Sequence, residues 1–480
     1  MKVLFVTSEA FPLLKTGGLG DVAGALPAAL NALGENARIL MPAYPQALEM
    51  ARDKRPGVAL GMPLGVGEVR LIEAKMPDGK TPVWLVDCPN VCRRDGNPYT
   101  QQDGRDWPDN YLRFALLSHV AAQLAMPGNP TGWVPDIVHC NDWQSGLAPA
   151  YLHFWPGSRA KTVFTIHNLQ YLGMFPPWVM EQIDLPGEAY GMDGVEFHGQ
   201  VSFLKAGIFY GDAITAVSPT YAHEIMSPAL GNGLDGLLRH RGHAVHGILN
   251  GIDDEVWNPA TDPLIEHPYS TADMSGKASN KVALQRELGL PEAPDAPLFC
   301  VVSRLTWQKG IDLIADGAER LERLGVQIAV LGTGEQHLHD MLRSLAETHP
   351  NIAVRIGYDE TLAHRMVAGS DVLLMPSRFE PCGLTQMYAM RYGTLPLVYR
   401  TGGLADTVTD CADIHAGTGF VFDKLDADTL IHGAERAVAL YHSPDSWQKA
   451  RVNAMTRDWS WAHAAKDYVK LYQGLLKAGA

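Results

Sequence analysis

The 480-residue sequence has few cysteines and no excess of basic residues. Its six cysteines are scattered, and the four-residue spacing of Cys88 and Cys92 is not repeated by a second pair or a histidine partner. This pattern excludes a zinc-type cluster and indicates reduced thiols. Acidic residues outnumber basic ones by 53 to 39, giving a net charge of −14. That balance excludes an extended nucleic-acid or anionic-membrane surface, which needs a basic face.

Long hydrophobic runs are also missing. No segment approaches the roughly 18 apolar residues of a membrane span, and the apolar run at 3–6 is far too short for a signal sequence. We therefore expect a cytoplasmic protein with no membrane partner. Hydrophobic residues make up 46% of the chain and charged residues 19%. These values are typical of a globular protein, and the length allows two to three domains.

Short apolar, β-branched runs alternate with amphipathic stretches throughout the chain. This alternation predicts an α/β protein with parallel sheets and crossover helices. The predicted strands cover residues 3–7, 37–41, 83–87, 137–140, 163–166, 213–217 and 245–249 in the first half, and 298–303, 327–331, 354–356, 372–375, 397–399 and 419–422 in the second.

A polar, proline-punctuated segment at 259–278 separates the two halves. We predict an N-terminal domain over 1–250 and a C-terminal domain over 251–456. Residues 457–480 are predicted to form one helix, with Trp461, Ala465, Tyr468 and Tyr472 on one face. That helix can pack back on the N-terminal domain.

A cation and two glycines precede a helix-forming run once in each half, at 15–18 (Lys-Thr-Gly-Gly) and 400–403 (Arg-Thr-Gly-Gly). Glycines let backbone N–H groups approach an anion, and the following helix presents its positive end. The two loops suggest two lobes that face one phosphorylated ligand. Neither loop has the dinucleotide or the P-loop glycine pattern.

Polar residues in the second half follow predicted strands, where open α/β sheets bind ligands. Arg304 and Lys309 come after one strand, and Glu380 after another. The two cations suit an anionic ligand, and the alternative is a solvated surface. Glu380 suits sugar hydroxyls, since N–H groups at 383–385 lie beside it, and the alternative is a helix cap.

Two histidines in the first half also stand at strand ends. His139 and His167 are accompanied by Asp142 and Asn168, which predicts a polar sugar pocket floored by Trp143. The alternative is that the histidines are structural donors.

Four segments, KTGGLGD at 15–21, SRLTxQKG at 303–310, PSRFEPCGLTQ at 376–386 and RTGGLADT at 400–407, together resemble the ADP-glucose-dependent glycogen and starch synthases. The resemblance spans nearly the whole chain. It implies two Rossmann-like domains facing a central cleft, the GT-B fold of glycosyltransferases. It also implies transfer of glucose from ADP-glucose to an α-1,4-glucan such as glycogen, with retention at the anomeric carbon and without metal or other cofactor.

The resemblance also assigns roles to residues. Arg304 and Lys309 would bind the diphosphate, Glu380 would hold the glucose, and His167 would approach the reacting carbon. Tyr358 would pack on the adenine, and its alternative is a core or surface aromatic. The residues assigned to substrate binding are Lys15, Gly17, Gly18, Asp21, Asp142, Asn168, Asn250, Tyr358, Cys382, Gly383, Leu384 and Thr385.

Two features bear on the mechanism. Many glycosyltransferases of this fold carry Glu-x7-Glu, but Tyr388 stands eight residues after Glu380, so no second carboxylate receives a role. Asp426 and Asp428 form the Asp-x-Asp pattern of metal-dependent transferases, yet they open a helix and are predicted to cap it. A nucleotide-sugar epimerase or hydrolase and a non-catalytic carbohydrate-binding protein stay open as alternatives, as does the oligomeric state.

Overall fold

The computed structural model describes residues 1–94, 96–157 and 160–478. The chain divides into two compact units, Met1–Gly251 with Trp461–Ala480, and Ile252–Ser460. This division differs from the predicted ranges at the C-terminal end. Residues 457–460 belong to the second unit, and the last helix is grouped with the first unit, the domain on which it was predicted to pack.

The described residues of the first unit form twelve strands and eight α-helices before the chain leaves it. The strands are β1 (Lys2–Val6), β2 (Asn36–Pro42), β3 (Val58–Gly61), β4 (Val69–Lys75), β5 (Pro82–Asp87), β6 (Ile137–Asn141), β7 (Lys161–Ile166), β8 (Met174–Phe175), β9 (Glu196–Phe197), β10 (Gln200–Ser202), β11 (Ala213–Ala216) and β12 (Val245–Gly247). The helices are α1 (Gly18–Ala32), α2 (Pro45–Met50), α3 (Pro89–Cys92), α4 (Asn110–Leu124), α5 (Leu147–Phe154), α6 (Phe203–Tyr210), α7 (Pro219–Glu224) and α8 (Asp235–His240).

The main sheet of the first unit has the strand order β12-β11-β7-β6-β1-β2-β5-β4-β3. It is parallel from β12 to β5, whereas β3 and β4 add an antiparallel edge. A separate small antiparallel sheet has the order β8-β10-β9. The sequence analysis missed all of these antiparallel strands, because they are short or carry charged residues between the apolar ones.

The second unit is a six-stranded parallel sheet with helices between the strands. Its elements are α9 (Ser275–Leu288), β13 (Leu298–Val302), α10 (Ile311–Arg323), β14 (Gln327–Gly332), α11 (Gln336–Thr348), β15 (Ile352–Ile356), α12 (Glu360–Gly369), β16 (Val372–Met375), α13 (Thr385–Arg391), β17 (Leu395–Tyr399), α14 (Gly402–Thr407), β18 (Phe420–Phe422), α15 (Ala427–Tyr441) and α16 (Pro444–Met455). Each strand predicted from the sequence lies in one of the two large parallel sheets.

Each large sheet reverses its strand order at one place. The second unit has the order β15-β14-β13-β16-β17-β18, which is the dinucleotide-fold order with its reversal between β13 and β16. In the first unit the reversal lies between β1 and β6. Open α/β sheets bind ligands beyond the carboxyl ends of strands at such points. The loops after these four strands are therefore the places to look for a site.

The chain returns to the first unit as α17 (Trp461–Ala478), which packs on α1. Trp461, Tyr468 and Tyr472 are buried in a core that includes Phe5 of β1, because their helical spacing places them on one face. No helix in the described ranges is long and apolar enough to cross a membrane.

The structure corrects the prediction for His139. Its Nδ1 lies 2.7 Å from the Tyr472 hydroxyl and its Nε2 lies 2.6 Å from Thr165 Oγ1, with the ring fully buried. Burial lowers the pKa of His139 to about 3. His139 is therefore a structural residue that joins β6 to α17, and not part of a sugar pocket.

We expect Tyr472→Ala to destabilise the first unit by about 3 to 5 kcal/mol, because it leaves a cavity and removes the partner of His139. Lys470→Ala, on the exposed face of the same helix, is the control and is expected to stay within about 0.5 kcal/mol of the parent. Urea unfolding measures both variants. Equal stabilities would contradict the docking of α17.

Candidate functional site

The clearest candidate site in the second unit joins Lys309 to Glu380. Lys309 ends a short turn after β13, and Glu380 follows β16 across the reversal point. Lys309 Nζ lies 2.6 Å from Glu380 Oε2, and the two side chains are only 14% and 7% exposed. Gly310 has φ +67°, and a Cβ there would lie 2.1 Å from the carbonyl oxygen of Pro376. Glycine thus lets the two loops approach closely enough for the pair to form.

Glu380 is held by side chains of neighbouring loops and does not cap a helix. Its Oε2 also accepts a hydrogen bond from Ser377 Oγ at 3.0 Å. The N-cap of α13 is Leu384, which makes no side-chain capping bond. The capping alternative for Glu380 is therefore wrong. The carboxylate keeps further lone pairs available for hydroxyl donors.

Residues that the sequence analysis did not assign hold the two loops rigidly. Arg378 donates to both carboxylate oxygens of Asp312, at 2.8 and 2.6 Å, and to the carbonyl of Trp307. Gln308 Nε2 donates to the carbonyl of Phe379. A bidentate arginine fixes orientation as well as distance, so these contacts tie the loops after β13 and β16 to each other.

The glycine loop at 400–403 packs closely on the loop that carries Glu380. A Cβ on Gly402 would lie 2.0 Å from the carbonyl oxygen of Glu380, and one on Gly403 would lie 2.0 Å from that of Cys382. The Gly403 N–H already donates to the Glu380 carbonyl at 3.0 Å. These glycines therefore allow α14 to pack tightly on the Glu380 loop.

Gln386 ties the predicted sugar-lining residues to the same loop. Its Nε2 donates to the carbonyls of Cys382 and Gly383 and to Thr407 Oγ1, and its side chain is buried. Gly383 has φ +72°, a conformation that favours glycine. Leu384 and the first residue of α13, Thr385, follow it and are partly exposed.

Three other predicted positions of the second unit lie on its surface. Arg304 is exposed directly after β13. Tyr358 follows β15 and is 74% exposed, with its hydroxyl donating to Glu360 Oε2 at 2.5 Å, so the core alternative for this ring is wrong. Asp426 accepts the N–H of Thr429 at 2.8 Å and caps α15, as predicted.

In the first unit, a buried carboxylate holds the glycine loop that follows β1. Glu9 accepts hydrogen bonds from Thr16 N at 2.5 Å and Thr16 Oγ1 at 2.7 Å. Burial raises the pKa of Glu9 to about 7. Lys15 Nζ lies 2.9 Å from Asp21 Oδ1 in the first turn of α1.

Gly17 is the N-cap of α1 and Gly18 its first residue. A Cβ on Gly17 would meet no atom within 4 Å. The backbone of this loop is therefore open to an approaching group.

The loops after β6 and β7 bring Asp142 and His167 together. The His167 N–H donates to Asp142 Oδ1 at 2.7 Å, and His167 Nε2 lies 2.9 Å from Asn141 Oδ1. Because Asn141 Nδ2 donates to the Val6 carbonyl, its Oδ1 is assigned as the acceptor, and Nε2 of His167 carries the proton. Nδ1 is then the acceptor nitrogen of a neutral ring.

Burial shapes the charges of this pair. It raises the pKa of Asp142 to about 7, although backbone N–H groups of His167 and Asn168 lower it. It lowers the pKa of His167 to about 3, so the imidazole is neutral at physiological pH. Asn250 is buried, and its Oδ1 has no hydrogen-bond partner among the described residues.

Glu9 is the functional candidate that the sequence analysis missed. It lies in no glycine motif, and a single glutamate after a strand is a weak signal. The run Thr7-Ser8-Glu9 directly after the buried β1 could have indicated it, because polar residues at that edge of a parallel sheet line ligand sites. No group of three metal-ligating side chains occurs in the part of the chain that the structure describes.

Known proteins are similar to this chain over its full length. Residues 2–240 match a family model described as the starch synthase catalytic domain, and residues 288–453 match one described as glycosyl transferases group 1. The glycogen synthase of Paramagnetospirillum magneticum is 52% identical over 486 residues, covering 100% of this chain and 98% of that protein. The chain belongs to the glycogen synthase family. The glycogen synthase of Rhodospirillum rubrum is 51% identical, with 99% of each chain covered.

Two solved structures are similar in fold to this chain. The catalytic domain of starch synthase IV from Arabidopsis thaliana, bound to ADP and acarbose, has a TM-score of 0.89 and 32% identity, covering 99% of each chain. Sucrose-phosphate synthase from Thermosynechococcus elongatus shares the fold, with a TM-score of 0.59 and 16% identity. The predicted GT-B fold and the predicted glycosyltransferase family of glycogen and starch synthases are confirmed.

Glu9→Gln keeps an acceptor for Thr16 but removes the titrating group. Glu9 has a pKa of about 7 in the folded protein, against an ordinary value of 4.5. As pH rises, the unfolded chain therefore loses this proton first. The free energy of unfolding of the wild type falls as pH rises between these two values. We expect the free energy of unfolding of Glu9→Gln to exceed that of wild type by on the order of 3 kcal/mol at pH 8 and by much less at pH 5.

Chemical unfolding at the two pH values measures this difference. Glu49→Gln, an exposed glutamate of the same unit, is the matched control and should show no pH-dependent gain. If Glu9→Gln gains the same free energy of unfolding at both pH values, the raised pKa of Glu9 is contradicted.

Proposed function

We propose that this chain transfers a glucosyl unit from ADP-glucose to the 4-hydroxyl at the non-reducing end of an α-1,4-glucan such as glycogen, with retention of configuration. The observation that carries the proposal is the buried Lys309–Glu380 pair at the reversal point of the second sheet. The chain's membership of the glycogen synthase family supports it.

The second unit binds the donor in this proposal. Lys309 has three N–H donors, of which one meets Glu380, and the others are available for phosphate oxygens. Arg304 follows the same strand and adds a second cation. As ADP leaves, negative charge grows on the diphosphate, and cations that are already in place stabilise it without reorganisation. A divalent ion is not needed for that task.

Glu380 positions the glucose. Its carboxylate is oriented by Ser377 and Lys309, and it accepts hydrogen bonds from sugar hydroxyls. The backbone at Cys382 and Gly383, fixed by Gln386, lines the same sugar. Tyr358 on its exposed loop packs on the adenine ring.

The first unit supplies the groups near the reacting end. The neutral His167 offers Nδ1 as an acceptor to a sugar hydroxyl, with Asp142 fixing the backbone on which it stands. Asn168 and Asn250 complete this polar surround. Lys15 and the open glycine backbone beside it contact the donor.

We infer that retention comes from attack on the same face that the leaving group occupies. The C1–O bond to the diphosphate breaks, the C1–O4 bond forms, and the proton of the 4-hydroxyl passes to a phosphate oxygen. The covalent alternative needs a nucleophile on the opposite face of the sugar, and none of the assigned residues has that role. Trapping of a glycosylated peptide with a slow donor would refute same-face attack.

The direct test supplies radiolabelled ADP-glucose or UDP-glucose with and without glycogen. We expect label to enter glycogen from ADP-glucose in preference to UDP-glucose, and to do so at an unchanged rate in the presence of EDTA. Free glucose without elongation would indicate a hydrolase. Loss of transfer with EDTA and its return with Mn²⁺ would contradict the role of the fixed cations.

Lys309→Ala is expected to lower kcat by roughly 10²–10³, since it removes one donor at a developing charge, and to weaken donor binding as well. Glu380→Gln is expected to lose turnover while remaining folded. Lys424→Ala, an exposed lysine of the same unit, is the matched control and should keep wild-type rates. Transfer of label from ADP-glucose to glycogen measures all three, and near-normal rates for both site variants would overturn the site assignment.

A further inference from the structure

Tyr358 is an exposed ring whose backbone is held on both sides. The ring is 74% exposed and follows β15 directly. Before it, the N–H of Gly357 donates to the carbonyl of Gly332 at 2.9 Å. After it, Asp359 caps α12 by accepting the N–H of Leu362 at 2.9 Å. The backbone is therefore fixed, and the freedom that the ring retains lies in its own side-chain torsions.

Glu360 restricts those torsions. The Tyr358 hydroxyl donates to Glu360 Oε2 at 2.5 Å, and Glu360 is the first residue of α12. An exposed side chain loses rotamer freedom when a ligand packs on it, and that loss weakens binding. A hydrogen bond that already holds the ring makes the loss smaller, so the contact with Glu360 prepares Tyr358 to receive a ligand.

A buried histidine lies next to Glu360. His364, one helical turn later, has its Nε2 3.8 Å from Glu360 Oε1 and its Nδ1 2.8 Å from Asp262 Oδ2. Because each ring nitrogen faces a carboxylate oxygen, this geometry favours a ring with a proton on both nitrogens. Burial lowers the pKa of His364, but its contacts with Asp262 and Glu360 outweigh burial and raise the pKa above its ordinary value. The charged ring attracts the Glu360 carboxylate and holds it near α12.

His364 is itself fixed by close packing. Its ring stacks on Trp257 with the centroids 3.7 Å apart, and Trp257 stacks on Tyr388 with the centroids 3.9 Å apart. Asp262 Oδ2 also accepts the Tyr392 hydroxyl at 2.6 Å. His364 and Asp262 are each only 1% exposed. A series of direct contacts thus leads from a rigid, buried cluster to the exposed tyrosine ring after β15.

Resting on the proposed function, in which Tyr358 packs on the adenine ring, we propose that Glu360 is a positioning residue for the base of the donor. It acts through the Tyr358 hydroxyl, and His364 and Asp262 hold it in place. The contact strengthens binding of ligands that carry the base and leaves the chemical step unchanged. Because Glu360 is 37% exposed, water competes for the hydrogen bond and the gain in affinity is modest.

Isothermal titration calorimetry with ADP measures this effect without turnover. Glu360→Ala and Tyr358→Phe are each expected to raise Kd for ADP roughly threefold to tenfold, which is the range for one hydrogen bond. The double variant should bind ADP as tightly as either single variant, because both changes remove the same contact. Kd for inorganic pyrophosphate, which has no base, should stay at the wild-type value in all three variants.

Steady-state rates give a second readout. In Glu360→Ala and Tyr358→Phe, KM for ADP-glucose should rise by the same factor as Kd for ADP while kcat does not change, which is the pattern of lost uniform binding. Glu360→Gln keeps an acceptor for the hydroxyl and should recover most of the affinity. Asp445→Ala is the matched control, since Asp445 is an exposed carboxylate in the first turn of α16 of the same unit. It should bind ADP as wild type does.

An unchanged Kd for ADP in Glu360→Ala would overturn the proposal. So would a double variant whose loss is the product of the two single losses, since Glu360 and Tyr358 would then act independently. An equal loss of pyrophosphate binding would also overturn it, because it would show a general disturbance of the loop. If the variants show the expected coupling toward ADP but wild type transfers no glucose to glycogen, the proposed function fails while the positioning role stands. If wild type transfers glucose and the coupling is absent, the positioning role alone fails.

Discussion

The buried ion pair between Lys309 and Glu380 is the interaction on which the second unit's site depends. Removing two charges from water is costly, and the cost is recovered only when the geometry is good and other donors complete the shell. Ser377 and the tight approach at Gly310 supply that geometry. The pair therefore keeps a cation and an acceptor side by side with little contact with water.

The first unit uses burial in another way. Glu9 and Asp142 lie after the two strands at its reversal point, and burial raises the pKa of each to about 7. The same burial keeps His167 neutral. Hydrogen bonds hold the groups of this region in place, with Glu9 bound by Thr16 and Asp142 bound by the His167 N–H.

The parallel sheets could be predicted because buried parallel strands are continuous apolar runs, and the loops after them carry short, specific motifs. The antiparallel β3 and β4 lacked that signal. His139 was misassigned because a histidine at a strand end looks the same whether its partner is a ligand or Tyr472, 333 residues away. The close packing of Gly402 and Gly403 could not be predicted, because the backbone they must clear, at Glu380 and Cys382, is close in space but distant in sequence. Sequence shows which groups are present, and only packing shows what they touch.

The last helix also bears on how the molecule is made. Residues 461–478 complete the core of the first unit, yet the ribosome adds them after the whole of the second unit. The first unit thus starts to form early in synthesis and finishes last, and until then the surfaces that receive Trp461, Tyr468 and Tyr472 stay uncovered. A nascent chain that stops short of this helix would present those surfaces to chaperones and proteases, even though every residue assigned to catalysis had already been made.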